Sequence, residues 1–290
     1  MRPRAWLLSG LLALAACGKG TSGWVLSGPA LAASGAAGAE SGAIDDGGNA
    51  GQIGGSVAGT GGSAGTAVAG ARCPTRFASV CAPSIVVDNK DAAGSGKLFT
   101  AAFDDPSTAL SCVLRDVCDI LYRKASEIKN VTKVSLIVED YDGVSEAWSP
   151  APGEGVIHLS SRHLQQVSDA RGDVSLELSN ILYYHATNTY QFDGGDGTTN
   201  SWLVSGVANY VRHVAGYVTD GQRKAGGAYN DGGLTTGFFF VWLDQKYPDL
   251  VYELNLSLDP SSSVPWTTKA FQDITAESVD MLWASYQATL

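Results

Sequence analysis

The chain has 290 residues, a formal net charge of −10 at pH 7 and a hydrophobic fraction of 44%. That fraction supports one well-formed core. The acidic balance, with no cluster of Lys and Arg, excludes nucleic acid as a partner, because phosphate binding depends on clustered cations that release counterions.

Arg2 and Arg4 give a positive start, and an apolar run from Ala5 to Ala16 follows. The run is shorter than the roughly 20 residues a spanning helix needs, which marks a cleavable export signal. It ends in Leu14-Ala15-Ala16-Cys17, which resembles a bacterial lipoprotein box. The resemblance implies cleavage before Cys17, a diacylglyceryl group on its sulfur and acylation of the new amine. Two or three acyl chains hold a protein stably where one holds it only marginally. An ordinary secretory signal with a chance cysteine is the competing reading. Gly18, in place of Asp after the cysteine, favours the outer membrane of a two-membrane bacterium, with the chain on its periplasmic or surface face. Loss of residues 1–16 removes Arg2 and Arg4 and makes the exported chain more acidic by two charges.

After this signal, residues 17–72 form a Gly/Ala/Ser-rich segment with few large apolar side chains. Such a segment buries too little surface to offset its backbone entropy and is expected to act as a flexible tether. Its root-mean-square span is on the order of 40 Å. Residues 73–290 are then the folded domain. The remaining cysteines, Cys73, Cys81, Cys112 and Cys118, are even in number, and in an exported chain this suggests two disulfides. Cys112 and Cys118 fall on different faces of a helical stretch and do not suit pairing with each other, so each is expected to pair with Cys73 or Cys81. Which pairs with which is open, and four buried free thiols are the alternative.

Within the domain, Ile85-Val86-Val87 reads as a strand. Pro106 opens a helix to about Lys129 with apolar residues at helical spacing. Val134 to Glu139 and Gly155 to Ser160 read as further strands. Helices are expected over about Asp173 to Tyr190, Trp202 to Ala215, Thr235 to Lys246 and Ser278 to Ala288, with a Gly/Asp-rich loop at Gly194 to Gly197. A few strands followed by a run of helices predicts an α+β fold.

Two helices carry the chemistry. The first includes Leu182-Tyr183-Tyr184-His185-Ala186-Thr187-Asn188-Thr189-Tyr190-Gln191, and the second Ser205-Gly206-Val207-Ala208-Asn209-Tyr210-Val211-Arg212 followed by Ala215-Gly216-Tyr217. Here the chain resembles the basic secretory protein family, metallopeptidase-like proteins of plants and bacteria. That family carries Leu-Tyr-His-Glu-x-x-His-x-x-Gln on the first helix and Glu-Gly-hydrophobic-Ala-Asp-Tyr-Val-Arg on the second. Gly155 to Ser160, Thr236 with Phe239, Leu254-Asn255, and Ser278 to Asp280 with Leu282 to Ala284 and Tyr286 extend the likeness over about Ile85 to Leu290. The resemblance implies a zincin-like domain, with a small N-terminal sheet packed on helices and a mostly helical C-terminal half.

The likeness breaks at the zinc positions. A His-Glu-x-x-His helix sets two imidazoles on one face with the Glu as general base. The position of the first His holds Tyr184, the Glu position His185 and the second His position Asn188. On the second helix the family's Glu, implied as third ligand, is Ser205, and its Asp, implied to orient a ligand imidazole, is Asn209. The Tyr that precedes Thr-x-x-Phe is replaced by Gly233. Imidazole, thiolate and carboxylate bind zinc; phenol, amide and hydroxyl are poor substitutes. The expected reading is a degenerate site with no catalytic residue, no metal and no cofactor. A rebuilt metal site using His185, His213 and either Asp193 or Asp196 would instead leave a working peptidase. The plain alternative packs His185 with Leu178 and Leu182 and leaves His213 at a helix end.

Other motifs carry less. The four histidines (His158, His163, His185, His213) come without a Gly-x-Ser-x-Gly elbow, so no serine triad is indicated. Arg171-Gly172-Asp173 precedes a helix that Asp173 would cap. Asn130-Val131-Thr132 is a glycosylation sequon of little meaning in a bacterial lipoprotein, and Phe238 to Leu243 reads as a buried helix. A groove lined by Tyr184, Asn188, Tyr190 and Trp202 would suit a peptide or glycan segment held without cleavage. The expected function is a non-catalytic, membrane-anchored binding or surface module; a displayed protein with no specific ligand is a third reading.

Overall fold

The computed structural model describes the backbone of residues 23–26 and residues 72–195, 200–261 and 265–290. The signal segment, Cys17, most of the tether and Asp196 lie outside the described residues.

The domain is α+β, as its sequence predicts. Strands β2 (Ser84–Asn89) and β3 (Lys133–Glu139) are parallel, β3 is parallel to β5 (Glu154–Ser160), and β4 (Ser145–Trp148) runs antiparallel to β5. A further strand, β1 (Gly23–Leu26), comes from the segment expected to be a tether and pairs antiparallel with β4. The sheet order is β1-β4-β5-β3-β2. Alternation on β3 and β5 turns Val134, Leu136, Val138, Ile157 and Leu159 into the core, all fully buried.

Helices cover that face. α1 (Lys97–Ala102) leads to α2 (Pro106–Leu121), which opens with Pro at its first turn and with Asp105 accepting hydrogen bonds from Ser107 N and Thr108 N. It stops eight residues short of the expected end at Lys129. Tyr122 turns extended and fully buried, its hydroxyl donating to Tyr190 O at 2.6 Å, and this pulls the chain out of the helix. Disulfides Cys73–Cys112 and Cys81–Cys118 tie the entry segment to α2, in the crossed order that the sequence left open.

α3 (Ser161–Asp169) follows β5 directly, with Ser160 as its cap. α4 (Val174–Tyr190), capped by Asp173, is the central helix, buried on most faces from Leu178 to Tyr190. α5 (Ser201–Val214) packs on α4, and α6 (Gly233–Lys246) packs on α5. α7 (Leu250–Ser257), α8 (Lys269–Thr275) and α9 (Val279–Gln287) close the helical half. The α5–α6 approach is close because both sides use glycine. A Cβ on Gly206 would lie 2.3 Å from Thr236 Cγ2, and one on Gly237 would lie 2.6 Å from Asn209 Cβ. Among the described residues no helix is long and apolar enough to cross a membrane.

Candidate functional site

Tyr184, His185 and Asn188 fall on α4 and Ser205 and Asn209 on α5, and polar contacts link the two helices. Gln191, at the end of α4, donates through Nε2 to Asn188 Oδ1 at 2.8 Å and to Val204 O of α5 at 3.1 Å. On α5, Ser205 Oγ donates to Trp202 O at 3.1 Å and accepts from Gly233 N at 3.0 Å. Asn209 Nδ2 donates to Ser205 O at 2.9 Å.

Arg212 joins the two helices. Its Nη1 donates to Asn209 Oδ1 at 2.7 Å and its Nε to Asn180 Oδ1 of α4 at 2.5 Å. Its guanidinium lies 5.8 Å from the centre of the Tyr184 ring, and the side chain is 8% exposed. At that range a cation over a ring face contributes about 0.5–2 kcal/mol. The Arg212 charge is offset by the Glu177 carboxylate, which it helps to keep ionised, and the side chains of Tyr184, His185, Asn188, Ser205 and Asn209 are uncharged.

His185 faces a different way. It is fully buried, and its Nε2 shares a 2.9 Å hydrogen bond with Ser145 Oγ on β4, while Nδ1 finds no partner. Burial, reinforced by the Arg212 charge, pushes its pKa down to about 3. The ring is neutral at physiological pH and fixed under the sheet edge. This also explains why Ser145, in a strand of otherwise ordinary residues, is buried.

Of the residues of the alternative metal site, His185, His213 and Asp193 are each held by other partners, and Asp196 lies outside the described residues. His213 lies in the last turn of α5, with Nδ1 donating to Val218 O at 3.0 Å and its ring edge-on to Phe238. The Asp193 carboxylate accepts from Gly195 N in the loop after α4. Among the described residues no group of three His, Cys, Asp or Glu is placed to hold a metal ion.

The groove residues also separate. Trp202 is half-buried among Tyr229, Trp266 and Phe271, with ring centres 5.5–6.4 Å away. Tyr184 is nearly buried, and Asn188 is half-buried with an unpartnered Nδ2. Tyr190 is fully buried in the core and does not face the groove. Behind the site, Glu177 accepts from His163 Nε2 at 2.8 Å. Desolvation pushes the Glu177 carboxyl up, but the His163 hydrogen bond and charge, Arg212 and Asn180 outweigh it and hold it below the usual carboxylate range. The remaining histidine, His158, lies on the outer face of the sheet between Glu139 and Glu146, stacked on Tyr141.

Sequence reasoning missed Ser145 and the His163–Glu177 pair, because neither belongs to a recognisable motif. Arg212 was visible as a match in the second helix, but its role as the charge between α4 and α5 needed the geometry.

A small mixed sheet packed on helices, with two central helices meeting at a polar cluster, is the arrangement of a zincin-like peptidase domain. The sequence model of the family described as peptidase of plants and bacteria, the basic secretory proteins, matches residues 83–286, and the chain belongs to that family. No curated protein and no solved structure matches the chain.

Proposed function

We propose that this protein is a lipid-anchored, non-catalytic member of its peptidase family, with residues 1–16 as the export signal, Cys17 as the acylated residue and residues 17–72 as the tether of a binding domain. The observation that carries the loss of catalysis is the donor chemistry of the α4–α5 site. Tyr184, His185, Asn188, Ser205 and Asn209 supply no carboxylate. A dication placed there would lack the anionic donors that zinc sites use. The one imidazole of the set, His185, is turned to Ser145. The residues present do not fit zinc, and with the Glu position occupied by His185 there is no carboxylate to move a proton.

A binding role is the reading left to a domain that keeps the family's fold, and the half-buried Asn188, whose Nδ2 has no partner, is the one donor of the expected groove open to a peptide or glycan segment. The exported location is supported by the two disulfides, which form in oxidising compartments.

The test is a protease assay of the purified protein on an unfolded protein substrate. The expected result is no cleavage above that of a chain carrying Arg212→Met; cleavage that a chelator abolishes would overturn the proposal.

A further inference from the structure

The segment between Cys17 and Arg72 holds one run of three consecutive large apolar residues, Trp24-Val25-Leu26. Aromatic and β-branched residues are the ones that favour a pleated, half-buried strand. This run, with Gly23, forms β1, in register with β4: Gly23 with Trp148, Trp24 with Ala147, Val25 with Glu146 and Leu26 with Ser145. Without β1, β4 would be the sheet edge, with a row of backbone N–H and C=O groups open to any extended chain. That edge adjoins the candidate site, because Ser145 at one end of β4 holds His185 of α4.

We propose that Gly23–Leu26 is a built-in, displaceable occupant of the β4 edge. The strand is four residues long, with Gly- and Ser-rich chain on either side. The net gain of so short a ladder is comparable with the entropy of ordering its residues, so the docked and released states lie close in free energy. Release opens the edge to another chain that offers a short aromatic or β-branched run, recognised chiefly through main-chain hydrogen bonds.

Docking also sets the reach of the domain. Five residues lie between Cys17 and Gly23, an extended reach of about 20 Å, whereas the full segment to Arg72 extends to about 190 Å. With β1 docked and Cys17 acylated, the sheet edge stays beside the membrane; with β1 released, the domain ranges outward. The docking goes beyond the proposed loss of catalysis and does not depend on it.

The test compares the full chain with Val25→Pro, which removes a strand N–H, and with a chain in which residues 23–26 are replaced by Gly-Ser-Gly-Ser. Hydrogen exchange at Ser145–Trp148 is expected to be on the order of tenfold faster in both variants, with β3 unchanged. A synthetic peptide of residues 20–29 is expected to bind both variants saturably, and the unaltered chain about tenfold more weakly. Equal exchange in all three chains, or a peptide that binds none of them or all equally, would overturn the proposal. Bound zinc or proteolysis would overturn the proposed function and leave this exchange result as it stands.

Discussion

His185 shows how one substitution changes what a position asks of its surroundings. A neutral imidazole buried against Ser145, with its pKa pushed to about 3, takes up a proton only on unfolding. An unfolded histidine titrates near 6.5, so between pH 6.5 and about 3 the unfolded chain binds more protons than the native one. The stability from this group is therefore complete above about pH 6.5 and is lost as pH falls, by about 1.4 kcal/mol per pH unit. In His185→Gln the stability measured by urea unfolding at pH 4.5 and pH 7 should differ by about 2–3 kcal/mol less than in the unaltered chain. An unchanged pH dependence would show that His185 is not buried as a neutral ring. The sequence placed His185 on the apolar side of the helix with Leu178 and Leu182, and all three are buried. It gave no sign of Ser145, whose partner lies 40 residues away.

At the scale of elements, the long periodic segments were legible. The expected helices from Asp173, Trp202, Thr235 and Ser278 each form within about two residues of the expected bounds. What escaped were short pieces. β4 reads Ser-Glu-Ala-Trp, with no β-branched residue, and becomes a strand only because β5 is there to pair with it. α1, α3, α7 and α8 are six to nine residues long, at the limit where periodicity marks a helix; α9, also nine residues, was legible. The α5–α6 contact yields a direct prediction. Gly206→Ala or Gly237→Ala puts a methyl where Thr236 or Asn209 already sits, and either should lower stability by about 1–3 kcal/mol in a denaturant titration. A neutral result at both would mean that the helices are farther apart than described. The disulfides close loops of 39 and 37 residues. Replacing either pair by serine should cost about 3–4 kcal/mol in the same titration.

At the scale of the whole molecule the family's scaffold is present, and the proposed loss concerns the site alone. The family match spans residues 83–286, and the core of sheet, α4 and α5 is fully packed. The five positions that would hold and use zinc carry phenol, imidazole, amide, hydroxyl and amide instead. The proposed failure of the motif is a reading of the sequence alone, since it rests on residue identity at fixed spacing. The contacts of Arg212 with Asn180, Asn209 and Tyr184 were not legible there, because they depend on which side chains face each other in space. Restoring the pattern with Tyr184→His, His185→Glu, Asn188→His, Ser205→Glu and Asn209→Asp should return zinc binding to the folded chain. A folded revertant that takes up no zinc would show that these positions do not converge as the family's site does.

The central claim is met most directly by the zinc content of the unaltered protein, measured by elemental analysis after purification and exchange into zinc-containing buffer followed by removal of free metal. The account predicts far less than one zinc per chain; one tightly held zinc per chain would contradict it.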